Sequence, residues 1–228
     1  MKLEFTTTAC VRPNILKKTY DSLSNVLQDV NLKTEGILYL HIDPVPNDIN
    51  TEIDREINIA KHYFNEVHYR IGESGGNFSK AASWVLSQPK GEYFFNVEDD
   101  WEFTGSICIQ DYINKIESDN RENMLQCICR EKIQNRIFFP PSLFKTSMIQ
   151  FLLNSYPIPE NENPERWLWE IKTVKRLINY NVVGIGGVHC KDIGRAWMNQ
   201  NNLTKSQDNQ RPNSKGVMVM NFIKWNIH

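Results

Sequence analysis

The sequence predicts an α/β fold built on a mostly parallel sheet flanked by helices. Over the first hundred residues, short apolar runs alternate with stretches of helical period in the order β-α-β-α-β-α-β. That alternation builds a parallel sheet with helices covering it. The fourth strand-like run, Tyr93-Phe94-Phe95-Asn96-Val97, stops at Glu98-Asp99-Asp100. Aromatic and β-branched residues suit a buried strand, but three carboxylates do not belong in a core unless their charge is compensated. Right-handed crossovers bring the strand ends to one edge, and ligands bind at that edge in open α/β sheets.

The elements follow in order. Leu3 to Thr8 reads as a strand and Ala9 to Pro13 as a turn, with Pro13 suited to a first helical position. Ile15, Leu16, Tyr20, Leu23, Val26, Leu27 and Val30 recur at helical spacing, which predicts a helix over 14–30. Ile37 to Ile42 is a second strand, ended by Asp43-Pro44. A second helix carries Ile53, Ile57, Ala60 and Phe64, with Thr51 and Asp54 resembling a capping pair. Val67 to Ile71 is a third strand, the Gly72 to Asn77 stretch a loop, and Phe78 to Leu86 a third helix. Thr7, Thr8, Asp43 and Gly75 to Asn77 are therefore expected near the acidic tip.

The second half is less regular. Helix is expected over 107–116, strand over 124–129, loop or edge over 136–141, and a short helix over 147–153. A polar loop, 157–164, leads into a helix with Trp167, Ile171, Val174 and Ile178 as its stripe. Asn181 to Ile185 reads as a last strand, 199–216 as a polar loop, and 217–225 as a segment apolar enough to dock. One domain is expected over 1–228: a ligand-binding half over 1–103, a second half over 104–198, and a polar tail with an apolar end over 199–228.

Composition narrows the function classes. Residues are 40% hydrophobic and 23% charged, ordinary for a soluble globular chain. A net charge of −1 offers no footprint for nucleic acid or an anionic membrane. Neither a signal peptide nor a membrane-spanning run is legible, so a cytoplasmic protein is expected. Five cysteines without framework spacing point to buried free thiols in a reducing compartment. A zinc site from Cys127, Cys129, His189 and Cys190 is disfavoured by the Cys-x-Cys spacing.

The acidic tip has two readings. One is a solvated turn. The other is a site for a hard divalent cation that also holds phosphate oxygens. Strand alternation puts residues 98 and 100 on one face.

On these residues the chain resembles the GT-A glycosyltransferases, and among them the family-2-like nucleotide-sugar enzymes. Phe5-Thr6-Thr7-Thr8-Ala9-Cys10-Val11-Arg12-Pro13 is similar to that family's opening nucleotide-binding segment. Asp43 matches the position that meets the nucleoside, and Gly76-Asn77-Phe78-Ser79-Lys80-Ala81-Ala82 resembles the helix start before the metal strand. Glu98-Asp99-Asp100 stands where the Asp-x-Asp motif stands, with Glu in the first place. The likeness covers 3–103 and is loose beyond. There is no Gln-x-x-Arg-Trp, so a processive polysaccharide synthase is not indicated. The resemblance implies a metal-dependent transfer of sugar from a nucleotide-diphosphate sugar to a glycan or other hydroxyl acceptor, using Mn²⁺ or Mg²⁺.

It also implies roles. Asp100 is the main metal ligand, Glu98 a ligand directly or through water, and His189 a further ligand or else a structural histidine. Asp99, a further candidate catalytic acid, points towards the sugar or away from the site, or else is simply solvated. Arg12 and Lys80 hold the diphosphate or are surface cations, since charge-assisted bonds to phosphate are strong. Thr7 and Thr8 line the nucleotide or are satisfied strand-end threonines, Asn77 starts the helix beneath it, and Asp192 with Arg195 is an alternative group to close over the diphosphate. Glu165, or its rival Glu162, is the general base if the transfer inverts. Two other functions compete. A nucleotidyltransferase opens with a glycine-rich loop, which the stretch from Thr7 to Pro13 lacks. A non-catalytic sugar- or nucleotide-binding relative would lack a base, and Glu162 and Glu165 supply candidates.

Overall fold

The computed structural model describes residues 2–45, 50–118, 124–129, 141–160, 162–171, 181–186, 189–200, 203–205 and 225–227. In the first half, β1 (Leu3–Cys10), α1 (Pro13–Val26), a short α2 (Leu32–Glu35), β2 (Gly36–Asp43), α3 (Asn50–Tyr63), β3 (Glu66–Ile71), α4 (Phe78–Ser87) and β4 (Tyr93–Asn96) follow one another. In the second come β5 (Trp101–Phe103), α5 (Ile109–Glu117), β6 (Met124–Ile128), β7 (Ser142–Lys145), α6 (Thr146–Ser155), α7 (Pro164–Trp169), β8 (Asn181–Gly184), β9 (Cys190–Asp192) and α8 (Gly194–Gln200). A separate two-stranded ribbon pairs Leu203–Lys205 with Trp225–Ile227.

Seven strands form one sheet in the order β3-β2-β1-β4-β7-β6-β8. The β1–β2, β2–β3, β1–β4 and β6–β8 pairs are parallel, and β7 runs antiparallel to both of its neighbours. β1 sits inside the sheet with residues buried on both faces, which its apolar and threonine side chains permit. The stripes of α1, α3 and α5 cover one face through Leu16, Tyr20, Ile57 and Tyr112. On the other face, α4, α6 and α7 pack Val85, Ile149, Trp167 and Leu168.

Several features depart from the sequence reading; the stretch expected as a loop from 199 holds the end of α8 and the strand Leu203–Lys205, which exists by pairing with Trp225–Ile227. α1 stops at Val26 rather than at 30, because Leu27 turns extended and the chain pairs with Ile107 through Ile107 N–H to Val26 O at 2.9 Å and Gln28 N–H to Ile107 O at 2.9 Å. β7 was unforeseen: four residues following Pro140-Pro141 carry too short a pattern to read. β5 and β9 form a two-stranded antiparallel ribbon, each only three residues long. Trp225 lies in the small terminal ribbon. The expected loop at 136–140, the stripe positions Val174 and Ile178, and the segments 206–216 and 217–224 lie outside the described residues.

Candidate functional site

The site forms where β1, β2 and β4 end together. Cys10 pairs with Asp43 across β1 and β2. Beyond β4 the chain stays beside β1, with Val97 N–H to Thr6 O at 2.9 Å and Asp99 N–H to Thr8 O at 3.3 Å. This pairing carries Glu98, Asp99 and Asp100 to the edge of the sheet.

Asp99 does not face outward there: of the two expected directions, toward the sugar or away from the site, it takes the second and turns inward. It is 3% exposed. Arg12 grips its two oxygens, Nε to Oδ2 at 3.1 Å and Nη2 to Oδ1 at 2.6 Å. Cys10 N–H adds 3.1 Å to Oδ2, and the Thr19 hydroxyl donates to the Asp99 carbonyl at 2.6 Å. A buried carboxylate is stable only with such partners.

Arg12 is equally enclosed, at 5% exposure, and its Nη2 also reaches Asp100 Oδ2 at 3.2 Å. Pro13 excludes the residue before it from helical conformation, and Arg12 adopts φ −140°, ψ 60°. Its N–H donates to Glu56 Oε1 at 2.6 Å, its guanidinium lies 5.5 Å from the centre of the Trp197 ring, and its position is that of an internal brace. Glu56 is fully buried on α3. Burial first, then the charge of Asp99, raises its carboxyl to about 9.

Glu98 and Asp100 are half-buried at the tip. Burial, then the negative charges of Asp100 and Glu165, push Glu98 well above the usual carboxylate range, against a hydrogen bond from the Trp101 indole at 3.2 Å. The fold thus brings Glu165, in the first turn of α7, into the electrostatic neighbourhood of the tip. On the other side the β5–β9 ribbon turns α8 over Asp100: Ile193 N–H meets Asp100 O at 2.9 Å. A Cβ on Gly194 would stand 2.1 Å from Asp100 Oδ2, so glycine alone allows this approach.

The 72–77 loop forms one wall, with Gly75 and Gly76 at φ 93° and 67°, a region glycine enters without steric cost. Asp43 anchors the loop from beneath: Oδ2 accepts Asn77 N–H at 3.1 Å, while Oδ1 lies 3.1 Å from His41 Nε2. Asn77 caps α4 by accepting Lys80 N–H at 3.0 Å. Lys80 Nζ lies 3.5 Å from Glu73 and 3.8 Å from Glu160, between the two loops. The Ser79 hydroxyl donates to the Glu162 carbonyl, tying the 157–163 loop to α4. Asn163 then caps α7, accepting Arg166 N–H at 3.0 Å.

The structure places the remaining expected residues as follows. Thr7 is fully buried beside Tyr20, and Thr8 is half-buried with its carbonyl on Asp99 N–H. His189 pairs along the ribbon with Thr104, whose N–H meets its carbonyl at 2.8 Å, whereas Asp100 pairs with Ile193. Four residues of strand separate the two pairings, roughly 13 Å, and His189 Nε2 lies 2.7 Å from Gly186 O. Among the described residues, no three His, Cys, Asp or Glu side chains cluster closely enough to hold an ion by themselves. Arg195 is exposed on α8, and its N–H meets Asp192 Oδ1 at 3.4 Å. All five cysteines are free; Cys127, Cys129 and Cys190 are core residues, and Tyr112 donates to Cys129 Sγ at 3.3 Å. The side chain of Trp169 lies outside the described residues.

Sequence reasoning missed Glu56, Thr19, Gly194 and Trp197. Glu56 carried a signal: it falls on the Ile53, Ile57, Ala60 stripe, where a carboxyl must have a buried partner. Thr19 sits on the buried side of α1 beside Leu16, Tyr20 and Leu23, where a threonine is unremarkable; Gly194 and Trp197 carried no signal, because the ribbon and α8 reach the tip only through tertiary pairing.

No protein-family model matches the chain, and no curated protein matches its sequence. Solved structures match its shape. TarS 1-349 from S. aureus superposes with a TM-score of 0.55 and 17% identity over 83% of this chain and 60% of that one. The mannosyltransferase PcManGT from Pyrobaculum calidifontis, in complex with GDP-Man and Mn²⁺, gives 0.57 and 9% over 85% of this chain and 57% of its own. The chain has a GT-A-like fold. A cytidylyltransferase from Leptospira borgpetersenii shares it, with a TM-score of 0.52 and 12% identity over 83% of this chain and 77% of that one. The GT-A-like fold therefore spans glycosyl- and nucleotidyltransferases, and this chain spans about 60% of the TarS fragment's length.

Proposed function

We propose that this protein is a glycosyltransferase that moves a sugar from a nucleotide-diphosphate sugar to a hydroxyl acceptor with the help of Mn²⁺ or Mg²⁺. One observation carries the reading: Glu98 and Asp100 stand half-buried at the end of β4, and the charge of Glu165 reaches Glu98. The proton affinity of Glu98 rises because its carboxyl is buried and because Asp100 and Glu165 add negative charge beside it. Hard oxygen donors of this kind fit a hard divalent ion held by one or two carboxylates and completed by substrate phosphates. Bound there, the ion would offset the charge that grows on the leaving diphosphate.

The chain's own residues supply the rest. Asp100 and Glu98 are the proposed ligands. The 72–77 loop and Lys80 form the wall on which a nucleotide diphosphate would lie, and Asp43 sets that loop's height. Glu165 is the proposed base toward the acceptor hydroxyl, with Glu162 as its rival. The fold neighbours support a nucleotide-sugar donor: PcManGT holds GDP-Man, and the TarS fragment has been crystallised with UDP and with UDP-GlcNAc. The cytidylyltransferase neighbour makes nucleotidyl transfer the second reading. The lack of glycine from Thr7 to Pro13 stands against it.

A thermal-shift panel of UDP-, GDP-, CMP- and dTDP-sugars with and without Mn²⁺ tests the proposal, because ligand binding raises apparent stability by mass action. A donor sugar should stabilise the wild type only with the ion, and Asp100→Asn should abolish that dependence and most turnover. Wild-type turnover in Asp100→Asn would refute the assignment. Glu165→Gln should leave donor affinity intact and cut turnover by roughly a hundredfold or more, the scale of general-base loss.

A further inference from the structure

We propose that Arg12 is a positioning residue that fixes the orientation of Asp100, with Glu56 and Asp99 as its supports, and that it does not bind the substrate diphosphate. The inference rests on the reading of Asp100 as an ion ligand. It comes from the contacts that Nε and Nη2 of Arg12 already make. The planar fork matches a carboxylate in two places at once, and here Nε and Nη2 take both oxygens of Asp99 while Nη2 extends to Asp100. The backbone is fixed by Pro13 on one side and by the Glu56 carboxyl on its N–H. Trp197 covers the guanidinium.

A swing of the guanidinium toward a diphosphate would strand Asp99, a buried carboxylate, without its counter-charge. Breaking a buried pair in that way is strongly destabilising. The rigid grip instead suits the task of a residue behind a ligand. Partners that orient a metal ligand set its geometry, and their loss typically weakens ion affinity or activity about 10–100-fold. Glu56 belongs to the same device because its contact is with the N–H of Arg12, which Pro13 leaves outside the helix. Its side chain therefore sets where the guanidinium begins.

The test is a double-mutant cycle read by calorimetry of UDP, GDP, CMP and dTDP binding, with and without Mn²⁺, alongside melting temperature. Arg12→Gln should weaken Mn²⁺-dependent nucleotide affinity about 10–100-fold while leaving ion-free affinity unchanged. In an Asp100→Asn background the same change should have no further effect, since residues acting through one another are non-additive. Glu56→Gln, which keeps the oxygen facing Arg12, should retain ion affinity, and Glu56→Leu should lose it in the manner of Arg12→Gln. If Arg12→Gln does not fold, Arg12→Lys enters the same cycle, because it keeps the charge and loses the fork. An Arg12 effect that persists undiminished in Asp100→Asn, or that appears equally without Mn²⁺, overturns the inference and leaves the proposed function standing. A lowered melting temperature with unchanged Mn²⁺-dependent affinity also overturns it. A wild type that binds none of the four nucleotides overturns the proposed function, and the inference with it.

Discussion

Glu56 shows how one side chain couples the interior to solution conditions. An ordinary glutamate titrates near 4.5, and this one is raised to about 9 by burial and by Asp99. Between those values the folded protein holds a proton that the unfolded chain has released. The contribution is thus fully present below about 4.5 and is lost as pH rises toward about 9. Glu56→Gln carries no such proton, so its melting temperature should rise relative to the wild type across pH 5 to 9, by about 2–4 °C per kcal/mol in a chain of this size. A difference that stays flat with pH would show that Glu56 is ionised in the folded state. Asp43 makes a second prediction at this scale. Asp43→Ala strands the buried His41 and the Asn77 N–H, which should cost about 1–3 kcal/mol in urea denaturation and speed amide exchange in the 72–77 loop. Unchanged stability would mean that the carboxylate serves only a ligand.

Elements matter here chiefly by where they end. α4 and α7 both start with an Asn cap, and the two starts are held side by side because Ser79 of α4 bonds the Glu162 carbonyl just ahead of α7. The β5–β9 ribbon does the corresponding work on the opposite side. It is three residue pairs long, yet it directs α8 onto Asp100 so closely that Gly194 has no room for a Cβ. Gly194→Ala should therefore shift α8 or Asp100, cost about 1–3 kcal/mol as overpacking does, and lower Mn²⁺-dependent nucleotide affinity. Chemical denaturation and calorimetry read the two effects separately, and an unaltered affinity would show that α8 can move off without disturbing the tip.

Across the whole molecule, β7 joins the two halves. It pairs with β4 on one side and β6 on the other, and Phe144 stacks on Phe94 with ring centroids 5.3 Å apart. Both rings are fully buried. Phe144→Ala should cost about 3–5 kcal/mol in denaturant unfolding, and because β7 lies between the halves it should unfold them in one transition. A split transition would show the halves to be separately cooperative.

The first hundred residues were legible because each element there is long enough to show its period, and because β-α alternation admits few topologies. The convergence of Asp43, the 72–77 loop and the acidic tip follows from that alternation. The fate of each carboxylate does not. Glu98, Asp99 and Asp100 are adjacent and chemically alike, yet Asp99 is turned inward and neutralised while its neighbours are left half-buried. That division depends on Arg12 and Glu56, which come from separate elements 44 residues apart. In the same way, β7 and the β5–β9 ribbon are too short to carry a pattern and exist only because longer strands offer them an edge. Local sequence thus determined the sheet and the place of the site, because period and alternation are local properties. The tertiary structure decided which acid turns inward and which stay at the sheet edge, because charge compensation in a core is settled by residues far apart in the chain.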